Sequence, residues 1–132
     1  MTTVILESTT YPGTTEELAL PILEAGSGLK GGVDFHLGYS PERIDPGNAT
    51  YRLENTPKVV SGMDAVSLER VKAFFDQLVE RTVPVSGTRE AELTKLLENT
   101  FRHVNIALVN ELAMFAKDLD INLWEAIDAA ST

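Results

Sequence analysis

Short β-branched runs alternate with helical patterns along this chain of 132 residues, and that alternation limits the possible fold more than any other feature. Four runs are too short for helices and are flanked by turn residues, which is typical of buried strands. They are "TVILES" from Thr3, "VDFHLGYSP" from Val33, "PKVVSGM" from Pro57 and "RTVPVSG" from Arg81. The order strand, helix, strand, strand, helix, strand predicts an α/β fold with a mostly parallel sheet of about four strands. Pro84 predicts an edge position for the last strand.

Capping residues mark the starts of the two helices that separate these strands. Thr14 and Glu17 have the spacing of a capping box, so the first helix is predicted to start there and to end near Gly26. Pro21 removes one backbone donor and is expected to kink or shorten this helix. Its predicted inward residues are Leu18, Ile22 and Leu23. Asp64 is the expected N-cap of the second helix. The predicted inward face of that helix comprises Leu68, Val71, Phe75, Leu78 and Val79.

A longer helical pattern runs from Thr88, its expected cap, to about Leu119. At a rise of 1.5 Å per residue it would be about 45 Å long, so we expect it to pack against something beyond one small domain. Asn122 and Glu125 repeat the capping spacing and predict a last short helix. The apolar positions of the long pattern are Leu93, Leu97, Phe101, Val104, Leu108, Leu112 and Phe115.

Two loops rich in hydroxyl or turn residues follow predicted strands, Ser8–Thr15 after the first and Ser40–Asn48 after the second. Ligands of α/β sheets bind beyond the carboxyl ends of the strands, so both loops are candidates for a binding site. The segment "DPGN" from Asp45 suits a type II turn that folds Glu42–Asn48 back over a strand end. Glu42 is either a surface charge or a carboxylate held near a substrate, and periodicity leaves both readings open.

The segment "GSGLKG" from Gly26 matches the dinucleotide fingerprint G-x-G-x-x-G, but its surroundings contradict that function. A dinucleotide site needs a strand before the glycines and a helix after them, because the pyrophosphate rests on the helix N-terminus. Here a helix is predicted before the glycines and a strand after them. We therefore interpret the segment as a helix C-cap followed by a flexible link.

Charge and cysteine content argue against several classes of function. The formal net charge is −9 and no cluster of lysine or arginine occurs, which argues against nucleic acid or an anionic membrane as a partner. No stretch approaches the roughly 20 apolar residues of a transmembrane helix, and the first residues lack signal-peptide features, so a cytoplasmic location is expected. The chain has no cysteine and therefore no thiolate nucleophile. His36 and His103 are too far apart in sequence to suggest a metal site.

Lys95, Asn99 and Arg102 lie at positions i, i+4 and i+7 of the long helix, on one face beside His103. These side chains form either an exposed polar face or a site at which the Lys95 ammonium and the Asn99 amide hold an oxyanion. The spacing leaves both interpretations open.

Four longer segments carry a family resemblance. They are "ESTTYPGTTEE", "YSPERIDPGN", "TPKVVSG" and "AELTKLLENTFRHVNIALVNEL". Together they resemble the UDP-glucose/GDP-mannose dehydrogenase family, with its UDP-N-acetyl-hexosamine 6-dehydrogenase branch as the nearest match. The resemblance covers essentially the whole chain, in the family's order and at its spacing. It implies an enzyme that uses NAD to oxidise the C6 hydroxyl of a UDP-sugar to a carboxylate in two hydride transfers, through a thioester on a cysteine.

The resemblance also implies roles for residues of the long helix and of the loop after the first strand. Lys95 would stabilise oxyanions and Asn99 would assist with a bound water, and both would contact the substrate. Thr9 would lie near the nicotinamide and the catalytic water. The remaining contacts implied in these segments are Ser8 and Thr10 to the cofactor and Arg102 to the substrate.

The same resemblance implies substrate contacts for the loop after the second strand. Glu42 would activate water or contact the substrate, and Arg43, Ile44 and Asp45 would lie along the sugar nucleotide. Pro46 stands where UDP-glucose enzymes often carry a second glutamate, which favours the acetamido-sugar branch.

Two features of the family are absent from the chain, namely the Gly-rich dinucleotide strand and the nucleophilic cysteine. The resemblance therefore implies the middle third of the enzyme. Residues 1–87 would be the carboxyl-terminal half of the NAD-binding Rossmann-like domain. Residues 88–132 would be the long central helix and a short helix that begin the dimerisation domain, which implies a homodimer or a higher oligomer.

The chain by itself is expected to be inactive, because no thiohemiacetal can form without a cysteine thiolate. Two other hypotheses stay open. One is a non-catalytic module that dimerises through the long helix, and the other is a relative that binds UDP-sugars as a sensor.

Overall fold

The computed structural model describes residues 1–44, 50 and 52–132, which divide into two compact units, Met1–Leu97 and Glu98–Thr132. The strands are β1 (Thr2–Leu6), β2 (Phe35–Tyr39), β3 (Lys58–Gly62) and β4 (Thr82–Pro84). The helices are α1 (Leu20–Ser27), α2 (Ala65–Phe75), α3 (Thr88–Asp118) and α4 (Leu123–Ala130), and a π-helical segment, Thr14–Ala19, precedes α1. The predicted "DPGN" turn falls at residues 45–48 and lies outside the described residues.

The four strands form one sheet in the order β1-β2-β3-β4, so Pro84 lies in an edge strand as predicted. β1 and β2 are parallel, with Leu6 opposite Tyr39, and β3 and β4 are parallel as well. β2 and β3 are antiparallel, with Tyr39 opposite Ser61. The predicted α/β fold with a mostly parallel sheet of four strands is thus confirmed. The antiparallel pair arises because the sequence between β2 and β3 lacks the helical pattern of a parallel crossover.

Hydrophobic clusters lie on both faces of this sheet, because neighbouring residues of a strand point to opposite faces. On one face Val60 of β3 packs with Val71 of α2. On the other face Val59 packs with Tyr39 of β2 and with Ala91 near the start of α3. Within the unit Met1–Leu97, α2 therefore covers one face and the first turns of α3 cover the opposite face.

The capping box predicted from Thr14 and Glu17 does not form. The Thr14 hydroxyl donates to Tyr11 O at 2.7 Å, and the Glu17 N–H donates to Gly13 O at 2.8 Å. The first turns are π-helical, and no side chain of the turn itself caps them. The prediction was wrong because a residue from a distant part of the chain, Glu92, takes over the capping role, as described below.

The apolar face predicted for the first helix was also wrong in part. Leu18 and Ile22 are 48% and 61% exposed, and only Leu23 is half-buried as expected. The prediction assumed α-helical spacing throughout, whereas the wider π-helical turn displaces later residues from that spacing. Pro21 is the second residue of α1, a position that tolerates its missing N–H, so it lies where the π-helical segment ends and not in the interior of α1, where it was expected to form a kink.

The start of α2 was predicted correctly from its sequence. Asp64 Oδ1 accepts from the Ser67 N–H at 2.7 Å, which confirms the N-cap. Val71, Phe75 and Val79 are buried as predicted. Leu78 is 46% exposed, because α2 ends at Phe75 and the following residues leave the helical spacing.

The long helix α3 runs over Thr88–Asp118, which confirms the predicted helix. At the start of α4, Asn122 Oδ1 accepts from the Glu125 N–H at 3.4 Å, as its capping spacing predicted. Large apolar side chains in the unit Glu98–Thr132 are exposed, among them Phe101, Val104, Leu108, Leu112, Phe115 and Trp124. In the part of the chain that the structure describes, no helix is both long and apolar enough to cross a membrane.

Candidate functional site

The loops that follow β1 and β2 begin at the same edge of the sheet. These strands are parallel neighbours, and the Ser40 N–H donates to Leu6 O at 3.0 Å beyond the paired residues. The phenol of Tyr39, the last residue of β2, donates to Ser8 O at 3.1 Å. Both loops therefore lie at strand carboxyl ends, as the sequence predicted.

Three residues with hydroxyl side chains, Ser8, Thr9 and Thr10, open the first of these loops. Ser8 and Thr9 are exposed, and Thr10 is half-buried beside Tyr39. Burial raises the pKa of the Tyr39 phenol, the nearby Thr10 hydroxyl opposes that rise, and the negative charge of Glu92 adds to it. The Thr10 hydroxyl makes no well-aligned hydrogen bond within the described residues. The assignment of Ser8, Thr9 and Thr10 as cofactor contacts stays a prediction.

A buried carboxylate from α3 binds the turn at the far end of the same loop. Glu92 is fully buried, and its Oε2 accepts from the Gly13 N–H at 2.5 Å. Its Oε1 accepts from both the N–H and the hydroxyl of Thr15, at 2.8 Å and 2.7 Å. Gly13 has a φ of 104°, in the left-handed region that favours glycine. Glu92 thus supplies the cap that Thr14 was predicted to supply.

A second set of contacts joins the first turn of α3 to the π-helical segment. The Thr88 hydroxyl donates to Glu16 Oε1 at 2.9 Å. Arg89 Nη2 donates to Glu17 Oε1 at 2.7 Å, and Arg89 Nε lies 3.5 Å from Glu16 Oε2. Since the Arg89 pairs are exposed, the buried Glu92 contacts contribute more to holding the segment in place.

The predicted oxyanion site lies in α3. Lys95 follows Glu92 by three residues, is half-buried, and belongs to the unit Met1–Leu97. Asn99 and Arg102 belong to the unit Glu98–Thr132, with Asn99 half-buried and Arg102 exposed. Asn99 and His103 line a shallow groove of about 350 Å³ in that unit. The roles of Lys95, Asn99 and Arg102 stay predictions.

The loop after β2 holds the other predicted substrate contacts. Glu42 is exposed, and its Oε1 accepts from the Ile44 N–H at 2.7 Å. Arg43 Nη1 donates to Pro57 O at 2.7 Å, which ties this loop to the residue before β3. Asp45 lies outside the described residues.

Lys58, for which the sequence predicted no role, lies close to Glu42. It is 3% exposed, and its Nζ lies 2.8 Å from Glu7 Oε1 and 3.8 Å from Glu42 Oε2. The ammonium also lies 4.9 Å from the centre of the Phe75 ring. These residues line a cavity of about 540 Å³ between β1 and α2, together with Arg70. A lysine at the entry of a β-branched strand was the available signal, because a buried ammonium needs a carboxylate partner.

The structure places the predicted site residue Glu42 on the face of the sheet opposite to the one that the first turns of α3 cover. Glu42 lies with Lys58 on the face covered by α2, whereas Glu92 lies with α3 on the other face. Among the described residues, no hydrogen bond or ion pair joins Glu42 to Thr9 or to Lys95. The sheet edge thus brings the two loops together.

The glycine segment Gly26–Gly31 ends a helix. Gly28 has a φ of 73° and donates its N–H to Glu24 O, so it ends α1 as the sequence predicted. The next element along the chain is the strand β2, whereas a pyrophosphate site of the fingerprint type needs a helix after the glycines. Within the described ranges, no group of three or more histidine, aspartate or glutamate residues is placed to hold a metal ion.

Two family comparisons cover almost the entire chain. Residues 1–79 match the NAD binding domain of the UDP-glucose/GDP-mannose dehydrogenase family, and residues 89–132 match the central domain of the same family. The two matches follow each other in the order of one continuous enzyme.

Individual relatives agree with these matches. The chain is 48% identical to the protein CapL of Staphylococcus aureus over 99% of its own length, and 43% identical to a UDP-N-acetyl-D-glucosamine 6-dehydrogenase of Salmonella typhi over 98%. The solved structure of a UDP-D-ManNAc dehydrogenase from Pyrococcus horikoshii superposes with a TM-score of 0.87 at 40% identity, over 97% of this chain and 30% of that one. The chain spans about 31% of the length of both curated relatives.

Proposed function

The chain belongs to the UDP-glucose/GDP-mannose dehydrogenase family, and on that premise we propose that it is a segment of an NAD-dependent UDP-sugar 6-dehydrogenase. The proposed reaction oxidises the C6 hydroxyl of a UDP-hexose or UDP-N-acetylhexosamine to a uronate in two hydride transfers. The observation that carries the proposal is the match of one chain to the family's NAD binding domain and central domain in succession. Residues 1–87 would belong to the first of these and residues 88–132 to the second.

Lys95 and Asn99 are proposed to lie beside the oxygen on C6 of the sugar, the carbon that is oxidised. Lys95 is half-buried, and within the described part of the chain its ammonium makes no hydrogen bond or ion pair, so it is available to stabilise an oxyanion. Asn99 would hold a water molecule, and Arg102 would contact the substrate from the same helix. Thr9, exposed at the end of β1, would position the water that attacks the thioester.

The loop after β2 is proposed to hold the sugar nucleotide. Glu42 would activate water or bind the sugar, and its carboxylate is already oriented by the Ile44 N–H. Arg43, Ile44 and Asp45 would follow along the substrate. The acetamido-sugar dehydrogenases among the relatives support a UDP-N-acetylhexosamine as the substrate, in agreement with Pro46.

NAD would contact this chain through its nicotinamide end. The hydroxyl residues Ser8, Thr9 and Thr10 suit such a contact, since the Thr10 hydroxyl makes no well-aligned hydrogen bond within the described residues and Thr9 is exposed. NAD supplies the hydride acceptor when it is bound. The segment Gly26–Gly31 does not suit the pyrophosphate, because Gly28 ends a helix instead of starting one.

The chain alone is proposed to be catalytically inactive. It contains no cysteine, so the thioester of the proposed reaction has no attachment point within these residues. Dimerisation through the unit Glu98–Thr132 is a second proposed function, and the exposed apolar side chains of α3 support it. A cytoplasmic location stays a prediction, which cell fractionation tests.

The test of the proposed function compares two proteins. One is the 132-residue chain, and the other is the product of the longest open reading frame that encodes it. Each is incubated with NAD and with UDP-GlcNAc, UDP-ManNAc or UDP-glucose, and NADH formation is recorded. We expect two NADH per acetamido sugar from the longer protein and none from the 132-residue chain. Turnover by the chain alone, or no turnover of any UDP-sugar by the longer protein, would contradict the proposal.

A further inference from the structure

The buried carboxylate of Glu92 joins distant parts of the first unit through three hydrogen bonds. Glu92 and Thr15 are both fully buried, although they are 77 positions apart in sequence. Three donors converge on the carboxylate, namely the Gly13 N–H, the Thr15 N–H and the Thr15 hydroxyl. A carboxylate can accept all three, because each oxygen has two acceptor sites. Hydrogen bonds to an ionised acceptor are about twice as strong as neutral ones.

This carboxylate also replaces a local cap. The first N–H groups of a helix have no partner within the helix itself, and an anion at that end interacts favourably with the peptide dipoles. Thr14 does not cap them, because its hydroxyl donates to Tyr11 O. The position of the turn therefore depends on a side chain that α3 supplies.

The two elements that Glu92 joins both carry proposed catalytic groups. The loop Ser8–Thr15 carries Thr9, and α3 carries Lys95 three residues after Glu92. Residues three apart lie on the same side of a helix, so Lys95 projects from the turn that follows the anchor. We propose that Glu92 is a positioning residue, which fixes the loop bearing Thr9 against the helix bearing Lys95. This inference rests on the proposed function for its catalytic consequence but not for the anchoring itself.

Glu92 is not the sole attachment of the π-helical segment to α3 among the described residues. Thr88 and Arg89 also bind the π-helical segment, through Glu16 and Glu17. The ion pair between Arg89 and Glu17 is exposed, so water competes with it. The segment should keep its attachment to α3 in Glu92→Gln through these outer contacts, while either Gly13 or Thr15 loses its fixed acceptor. Glu92→Gln is therefore expected to loosen the loop without unfolding the sheet.

Glu92→Gln changes the hydrogen bonding and the charge of this side chain and almost nothing else. Glutamine has nearly the same shape as glutamate, but it replaces one acceptor oxygen by an NH₂ group. That group would face the N–H of Gly13 or the N–H of Thr15, so one buried donor loses its partner. Glu90→Gln is the matched control, because Glu90 is exposed on the same helix and binds neither residue.

The first experiment uses the 132-residue chain and needs no enzymatic activity. Amide hydrogen exchange is measured by NMR for the unsubstituted chain, Glu92→Gln and Glu90→Gln. We expect exchange to be about tenfold faster or more in Glu92→Gln at Gly13 or at Thr15, whichever N–H faces the new NH₂ group, with Val60 and Val71 unchanged. Unchanged exchange at both Gly13 and Thr15 would overturn the proposal. If Glu92→Gln does not fold, Thr15→Val removes only the hydroxyl bond to Glu92 Oε1, and the N–H of position 15, which binds the same oxygen, should exchange faster.

The second experiment measures the catalytic consequence in the product of the full reading frame. Glu92→Gln should lower kcat by about tenfold to 100-fold and leave KM for the UDP-sugar within a factor of about two, because misplacing catalytic groups acts on the reacting state. Glu90→Gln should leave both values unchanged. An active enzyme whose kcat is insensitive to Glu92→Gln would overturn the positioning role. An enzyme that oxidises no UDP-sugar refutes the proposed function, whereas the exchange result still decides whether Glu92 anchors the loop.

Discussion

Lys58 Nζ lies 2.8 Å from Glu7 Oε1, and this ion pair joins the first residue of β3 to the residue that follows β1. The two partners differ in environment, because the lysine side chain is 4% exposed and that of Glu7 is 50% exposed. The lysine depends on the pair more than the glutamate does, since the ammonium has left water almost completely.

The unequal burial predicts unequal costs of removing each partner. Glu7→Gln leaves the buried ammonium with Glu42 at 3.8 Å, so we expect the free energy of unfolding to fall by about 1–3 kcal/mol. Lys58→Met removes the charge and keeps an apolar stem against Phe75, so we expect a loss of less than about 1 kcal/mol. Urea unfolding measures both values. Glu69→Gln, at an exposed position of α2, is the control, and a larger loss for Lys58→Met than for Glu7→Gln would refute the argument.

Two glycines are predicted to respond to alanine with opposite signs. A Cβ at Gly62 would overlap the backbone of Ser67 and Leu68, where the start of α2 packs on β3. We expect Gly62→Ala to destabilise the chain by about 1–3 kcal/mol, because neither backbone can move without disturbing the core. Gly26 lies in α1 with open space around it, so Gly26→Ala should stabilise by roughly 0.5–1 kcal/mol. Thermal unfolding of both variants is the measurement, and equal shifts would contradict the packing argument.

Local signals were readable in the sequence, and contacts between distant residues were not. Asp64 caps α2 through Ser67, three residues away, so the sequence alone contained both partners. The same reasoning failed at Thr14 and Glu17, because the true cap, Glu92, is on another helix. Its burial was not predictable from a helical pattern in which its neighbours Leu93 and Leu97 form the apolar stripe. Those leucines are exposed, and the polar Glu92 is inside.

In the candidate site, too, local features were predictable from the sequence and contacts between distant residues were not. The positions of the loops after β1 and β2 followed from the order of the strands, and the structure confirms them. The contacts around Glu42 depend on Lys58, which reaches it only because β3 runs antiparallel to β2 and starts at the edge where β2 ends. The missing helical crossover between β2 and β3 is visible in the sequence, but the side chains that this antiparallel pair brings together are not.

The Tyr39 phenol is predicted to make stability depend on alkaline pH. Burial, followed by the charge of Glu92, raises its pKa in the folded chain above the ordinary value of about 10. The unfolded chain therefore ionises first, so the contribution is complete below about pH 10 and is lost as pH rises through the folded pKa. Urea unfolding at several pH values from about 9 to about 11.5 should show this fall.

Tyr39→Phe tests whether that phenol is responsible for the slope. The variant should lose roughly 1 kcal/mol at neutral pH, because the hydrogen bond to Ser8 O is gone, and its stability should depend less on alkaline pH. Tyr11→Phe, at a 57% exposed tyrosine, is the matched control and should keep the slope. An equal slope in Tyr39→Phe and the unsubstituted chain would show that another group titrates.

The apolar side chains of the unit Glu98–Thr132 predict self-association. Phe101 and Phe115 are 70% and 60% exposed on α3, and Trp124 on α4 is 75% exposed. Exposed apolar surface of this kind on a helix is typical of an interface, because its burial contributes about 25 cal/mol per Å². We expect sedimentation velocity to show a dimer or higher oligomer that dissociates on dilution.

Substitutions on this face should shift that equilibrium without unfolding the chain. Phe101→Ser combined with Phe115→Ser removes two large apolar groups that are not part of either core cluster of the first unit. We expect the dissociation constant to rise by at least about tenfold, which corresponds to about 1.4 kcal/mol. Glu111→Gln, exposed on the same helix, should leave it within a factor of about two. A concentration-independent monomer of the unsubstituted chain would contradict the proposed interface, because the apolar face would then tolerate water at every concentration.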